Sequence, residues 1–248
     1  MNKDKNFLNA LDDWGSVLID TYEDATAIKI EPEMDDGELI IPNAKYQQTS
    51  STTNKLKGEV IIPRGVGYIY TSAFEYCDEI TSVKFPRSLR SIGDGAFSQC
   101  TNLETAELNE GLQNISHSAF ANCTKLTLSK LPSTLMFVDT YAFFGCNLKG
   151  DLILPDTMQY LGDAAFSENR NLTGKLDLNA KLLYRIPNSC FENCRFTGEL
   201  VIQPHVLSIG EDAFTGCNFD VVKVPKHLNE DSINNLIDSL PNTEIIYY

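Results

Sequence analysis

Phenylalanine recurs at Phe74, Phe97, Phe120, Phe143, Phe166, Phe191 and Phe214, at intervals of 23 residues broken once by 25. The preceding residue is alanine each time except at Cys190. A fixed period of this length marks a repeat architecture and takes precedence over any local reading. The other apolar positions keep register with the phenylalanines. Five residues before each lie Ile69, Ile92, Ile115, Val138, Leu161, Ile186 and Ile209, and eight before lie Val66, Leu89, Leu112, Leu135, Met158, Leu183 and Val206. Twelve before, or thirteen in the sixth repeat, come Ile62, Phe85, Leu108, Leu131, Leu154, Leu178 and Ile202. Two residues further back sit Val60, Val83, Ala106, Ser129, Leu152, Leu176 and Leu200. One outward residue separates this inner pair, the period-2 signature of a short strand. Proline often follows, as at Pro63, Pro86, Pro132 and Pro155, where a missing N–H is tolerated.

Each repeat therefore reads as a short strand, a turn and a return segment carrying Ala-Phe. One such coil cannot bury its apolar row, so stability must come from stacking on its neighbours. The expected fold is an α/β-type repeat solenoid with one parallel β-sheet, few helices and a cap at each end. With strands about 4.8 Å apart, seven rungs give a body on the order of 35 Å long. The sequence divides into an acidic segment at 1–36, the solenoid at 37–219 and a C-terminal cap at 220–248. GELIIP at 37–42 echoes GEVIIP at 58–63 without a following Ala-Phe, which predicts a degenerate first rung. AIKIEP at 27–32 is a candidate edge strand, and QQTSSTTNK at 47–55 a polar surface loop. After VVKVP, the residues Ile233, Leu236, Ile237 and Leu240 fall at helical spacing, with Pro241 ending the helix.

The stretches TSVKFPRSLRSIGDGAFSQCTNL at 81–103 and TGELVIQPHVLSIGEDAFTGC at 197–217 resemble the BspA-like, or Treponema-type, leucine-rich repeats. The phrases KGEV, KGDL, TGKL and TGEL at 57, 149, 173 and 197 are in the same style. The resemblance spans about residues 59–219. It departs locally at the sixth repeat, with two extra residues, and at Asn169, which stands in a cysteine slot. It implies a leucine-rich-repeat stack that binds through its strand face. Such repeats occur in bacterial surface adhesins, protist proteins and bacteriophage proteins.

Charge narrows the partners. The chain carries a net −14, of which residues 10–40 hold −9, with ten carboxylates against Lys29. Phosphate-backbone binding needs clustered Lys and Arg, so a nucleic-acid partner is not expected. No run of 18 apolar residues suggests a membrane span. The first residues, MNKDKNFLNALDDWGSVLID, lack an uninterrupted apolar core and a small-residue cleavage site, which argues against a secretory signal. The corresponding expectation is a virion-associated or cytoplasmic protein.

No constellation for chemistry emerges. Cys77, Cys100, Cys123, Cys146, Cys194 and Cys217 each follow a Phe by three residues, and Cys190 replaces an alanine. A metal site needs ligands converging on one point, whereas this pattern strings small buried thiols one per rung. His117, His205 and His227 have no fixed nucleophile partner. EPEMDDGE at 31–38 lacks the order of a calcium loop, and no Gly-rich phosphate loop is present. The sequence thus predicts no catalytic residue, no metal, no cofactor and no enzyme activity.

The outward strand positions carry more information. One row reads Ile61, Lys84, Glu107, Lys130, Ile153, Asp177, Val201 and Lys223; the next reads Glu59, Ser82, Thr105, Leu128, Asp151, Lys175, Glu199 and Val221. Alternating signs allow cross-strand ladders, Lys84–Glu107–Lys130 and Asp151–Lys175–Glu199, which would hold register. Alternatively the face binds a partner through Lys84, Glu107, Leu128, Lys130, Ile153, Asp177 and Val201. Near the N-terminus, Phe7, Leu11, Trp14 and Leu18 share one helical face, as a cap or as an anchor onto a larger body. Its acidic polar face disfavours a membrane surface. The leading expectation is a non-catalytic scaffold that binds a protein or neighbouring subunits, such as an accessory part of a bacteriophage virion. The alternative is an adhesin-like module recognising a protein or glycan through its strand face.

Overall fold

The computed structural model describes residues 32–35, 38–41 and 56–248. The seven phenylalanine-bearing coils stack as the period requires, and all seven phenylalanines are fully buried. Their rings run as a column of near-parallel planes, with centroids 5.0 Å apart at Phe74–Phe97 and 5.9 Å apart at Phe166–Phe191. That spacing is the backbone repeat rather than the contact distance of two flat rings, so the rings are offset, the arrangement their quadrupoles favour.

The backbone around each phenylalanine explains how so short a return segment is held. The residues two before and two after it have positive φ in every rung, from Ser72 and Tyr76 to Asp212 and Gly216. This turn lets N–H and C=O groups point along the solenoid axis. Phe97 N–H donates to Ala119 O at 2.8 Å, and Phe143 N–H to Ala165 O at 2.8 Å. Glycine takes the left-handed positions at Gly95, Gly145 and Gly216. Most are non-glycine, and each such residue costs about 1–2 kcal/mol that the ladder must offset.

A single parallel sheet was expected; the strands form two ladders on different sides of the coil. The first holds the inner-pair strands: Gly58–Ile61, Ile80–Lys84 and Thr105–Glu107 in one sheet, Leu152–Ile153 with Leu176–Asp177 in another, and Thr197–Val201, Asn218–Val224 and Glu244–Tyr247 in a third. The second ladder is built on the aliphatic residue five before each Phe. It runs Glu38–Ile41, Val66–Ile69, Ser91–Ile92, Asn114–Ile115, Phe137–Val138 and Tyr160–Leu161, then Arg185–Ile186 with Ser208–Ile209. Most of its strands are only two residues long, too short for alternation to show in sequence. Its interruption after Leu161 coincides with the long sixth repeat.

The echo of GEVIIP in GELIIP does not translate into neighbouring strands. Glu38–Ile41 joins the second ladder, with Ile41 opposite Ile69, and Glu33–Asp35 pairs with it antiparallel. AIKIEP falls outside the described residues except for Pro32. At the other end, helix Glu230–Ser239 begins at Asn229, whose side chain accepts the Ser232 N–H. Ser232 Oγ accepts the Ile209 N–H at 3.0 Å, and Asn235 Nδ2 donates to Ile209 O at 2.9 Å. The helix thereby satisfies the last strand of the second ladder. Leu236 and Leu240 are buried, while Ile237 faces out at 45 % exposure.

Candidate partner-binding groove

Two spacings of the inward pair occur on the first ladder. In Leu56–Val60, Leu148–Leu152, Leu172–Leu176 and Phe196–Leu200 the two apolar residues stand four apart with a glycine between them. In Ile80–Val83 and Leu103–Ala106 they stand three apart, as do Leu126 and the polar Ser129. Neighbours of unlike spacing cannot keep register along their whole strands. Between the first and second rungs the mismatch is absorbed by a register shift at Gly58/Glu59, and at the last junction by one at Gly198/Glu199. Such bulges take up one extra residue without ending the pairing.

Between the fourth and fifth rungs the ladder fails instead. Thr127 still bridges to Thr105, but among the described residues no backbone hydrogen bond joins 128–131 to 149–155. The local cause is Ser129, which occupies the slot filled elsewhere by Val60, Val83 or Leu152. With no apolar side chain to bury, it is exposed rather than inward, and Leu128 packs part of its side chain against the core. The expected inward Ser129 and outward Leu128 have exchanged roles.

A groove of about 600 Å³ opens at this break. Its floor holds Leu131, Leu148, Leu152 and Leu172, all buried, with half-buried Leu128 on one wall and Ile153, 62 % exposed, on the other. Glu110, Lys130, Lys149 and Asp151 edge it. Glu110 fastens the rim: it accepts from Ser133 Oγ at 2.8 Å and Ser133 N at 2.9 Å, and pairs with Lys130 Nζ at 3.2 Å. The Ser133 hydroxyl, then Lys130, hold its carboxyl below the ordinary glutamate range. Serines 129 and 133 line the groove, with no histidine or cysteine beside them. This is an apolar trough with a mixed-charge rim, suited to binding.

Of the residues picked out from sequence, the groove gathers Leu128, Lys130 and Ile153. Lys84, Glu107, Asp177 and Val201 lie on the same ladder outside it. The expected same-row charge ladders are replaced by diagonal and loop pairs: Lys84 meets Glu59 at 2.7 Å, Lys223 meets Glu199 at 2.8 Å, and Lys130 turns to Glu110. Asp151 accepts the Lys175 backbone N–H at 2.7 Å, and Asp177 that of Asn179 at 3.0 Å. Phe7, Leu11, Trp14 and Leu18 lie outside the described residues. Sequence reasoning missed the floor of Leu131, Leu148, Leu152 and Leu172 as a site; the change from three- to four-residue spacing was the signal for it.

The other candidates resolve into structure. All seven cysteines are buried free thiols, and burial raises the pKa of each. His205 meets Ala180 O at 2.8 Å and His227 meets Val206 O at 3.2 Å, while the His117 ring stands edge-on to Tyr141. Among the described residues, no group of three or more His, Cys, Asp or Glu is placed to hold a metal ion. No helix there is long and apolar enough to cross a membrane.

Comparison with known proteins agrees with this architecture. A family described as "BspA type Leucine rich repeat region" matches residues 41–173 and 184–235 in six copies. Among solved structures, the chain is similar to a Treponema pallidum leucine-rich-repeat protein at 22 % identity and a TM-score of 0.52, over 84 % of this chain and 99 % of that one. It is also similar to a leucine-rich-repeat protein from Bacteroides ovatus at 19 % identity and a TM-score of 0.50, over 90 % and 67 % of the two chains. No curated protein matches the sequence.

Proposed function

We propose, from the premise that this chain belongs to the BspA-type leucine-rich-repeat family, that it is a non-catalytic interaction module. Its partner is a protein held on the strand face at the groove between the fourth and fifth rungs. The observation that carries this reading is the break itself, where Leu128, Lys130 and Ile153 surround an apolar floor. Protein interfaces take this form, with an apolar centre inside a polar rim. Elsewhere on the face, pairs such as Lys84–Glu59 and Lys223–Glu199 satisfy one another and account for their own presence.

The test is recovery of the partner from the native source by the whole chain and by Leu128→Glu/Ile153→Glu. Recovery falls about tenfold or more, since an unpaired carboxylate in an apolar interface costs upwards of 1.4 kcal/mol. Lys84→Glu, outside the groove, keeps the partner. Equal recovery by all three proteins contradicts the reading.

A narrower reading sets the chain within a larger assembly, such as a bacteriophage particle, anchored by its acidic N-terminal segment. It is supported by the spacing of Phe7, Leu11, Trp14 and Leu18 among carboxylates. Here deletion of residues 1–36 releases the chain from the assembly and leaves groove binding intact. Retention of the assembly after that deletion contradicts it.

A further inference from the structure

The groove is bounded by backbone as well as side chains. Leu152 and Leu154 donate their N–H groups to Lys175 O and Asp177 O, at 2.8 and 3.1 Å, on the side of the sixth rung. Successive backbone groups of a strand point to opposite sides. Those of Asp151 and Ile153 therefore face the fourth rung, where the ladder is missing. One wall of the trough is thus an open strand edge, and its floor is apolar. An open edge recruits an extended chain, which supplies the missing hydrogen bonds while alternate side chains enter pockets. The rim sets the charge: Lys130 is paired with Glu110, and Lys149 and Asp151 carry opposite signs. A segment of low net charge fits better than an acidic or basic one.

We infer that the groove's ligand is an extended, apolar peptide segment of the partner, added as an extra strand along Asp151–Ile153. Its main chain bonds to the N–H and C=O groups of Asp151 and Ile153, and its alternate apolar side chains rest on Leu131, Leu148 and Leu152. Leu128 and exposed Ile153 close over it from the two walls. This rests on the groove being the partner site and narrows that reading to one mode of recognition.

The experiment pans a display library of roughly six-residue peptides, a strand's usual length, against the whole chain. Enriched peptides are then titrated against the wild type, Ile153→Ala and Ile153→Pro. Proline at 153 removes one of the two N–H groups aimed at the gap, the other being that of Asp151, and leaves the bonds to the sixth rung untouched. Peptides of alternating apolar character bind the wild type, lose about tenfold or more in affinity with Ile153→Pro, and lose less with Ile153→Ala. In the wild type, bound peptide slows hydrogen exchange at the Ile153 amide, a readout that does not depend on the variants folding. The inference is overturned if no peptide is enriched, if enriched peptides bind Ile153→Pro as well as wild type, or if Ile153 exchange does not change. If the native partner is lost by Leu128→Glu/Ile153→Glu yet kept by Ile153→Pro, the groove stands as the site and strand addition falls. If both variants keep it, both readings fall.

Discussion

Asn169 donates its side-chain amide to the carbonyl oxygen of Phe143 at 2.8 Å, the bond made by a cysteine thiol in other rungs. Cys100 donates to Phe74 O at 3.2 Å, Cys123 to Phe97 O at 3.1 Å and Cys146 to Phe120 O at 3.1 Å. The thiol slot is thus a donor slot, which explains why a fully buried amide fits there. Asparagine adds what a thiol does not. Its Oδ1 accepts the N–H of Leu148 at 3.1 Å, on the floor of the groove where strand pairing has stopped.

Asn169→Ala leaves the Phe143 carbonyl and the Leu148 N–H buried without these partners, and lowers stability by about 2–4 kcal/mol. Asn169→Cys restores the first bond and not the second, and costs about half as much. Chemical denaturation of the three proteins gives the ranking, and equal stabilities would refute it.

The thiols are predicted to be inert in the folded chain. Burial raises all of them, Cys217 to about 12. Alkylating reagents should therefore label them at the rate of unfolding. The sign of the pH effect follows. Well below about pH 8.5, the ordinary thiol value, folded and unfolded thiols alike stay protonated. Above it the unfolded chain releases protons that the folded chain retains, so stability falls as pH rises. Thermal unfolding from pH 7 to 10 reads this out, and replacing Cys123 with alanine reduces the slope.

Phe143 stacks between Phe120 at 5.4 Å and Phe166 at 5.5 Å, with no exposed surface. Phe143→Ala removes both contacts and leaves a cavity, costing about 3–5 kcal/mol. Because solenoid rungs are coupled to their neighbours, hydrogen exchange should rise first in the third to fifth rungs rather than uniformly.

Lys84 supplies a test of strand register. Its ion pair with Glu59 is diagonal and partly exposed, so a double-mutant cycle with Glu59→Gln gives a coupling of about 0.2–1 kcal/mol. The same cycle with Glu107, its neighbour across the strands, gives close to zero. A larger coupling to Glu107 would restore the same-row ladder.

The phenylalanine period and the apolar rows made the solenoid legible in sequence, because burial enforces them at every rung. The second ladder was hidden: Ile92, Ile115 and Val138 each belong to two-residue strands, which carry no alternation of their own. The tight turns were hidden too, since Ser72, Gln99 and Ala164 adopt positive φ without being glycine. Lys130 and Ile153 were legible as face residues, but their meeting in a groove was not. It depends on a mismatch between successive rungs, and on Ser129, a single polar residue in an apolar row. The reading of Phe7, Leu11, Trp14 and Leu18 concerns residues outside those described, and it remains a proposal.

The central claim is that this scaffold binds through the gap between its fourth and fifth rungs. Its most direct test is a hydrogen-exchange footprint of the recovered partner on the whole chain. The account predicts slowed exchange at 128–131 and 149–153, with the second ladder at Phe137–Val138 and Tyr160–Leu161 unchanged. Protection confined to the second ladder, or to residues 1–36, would contradict it.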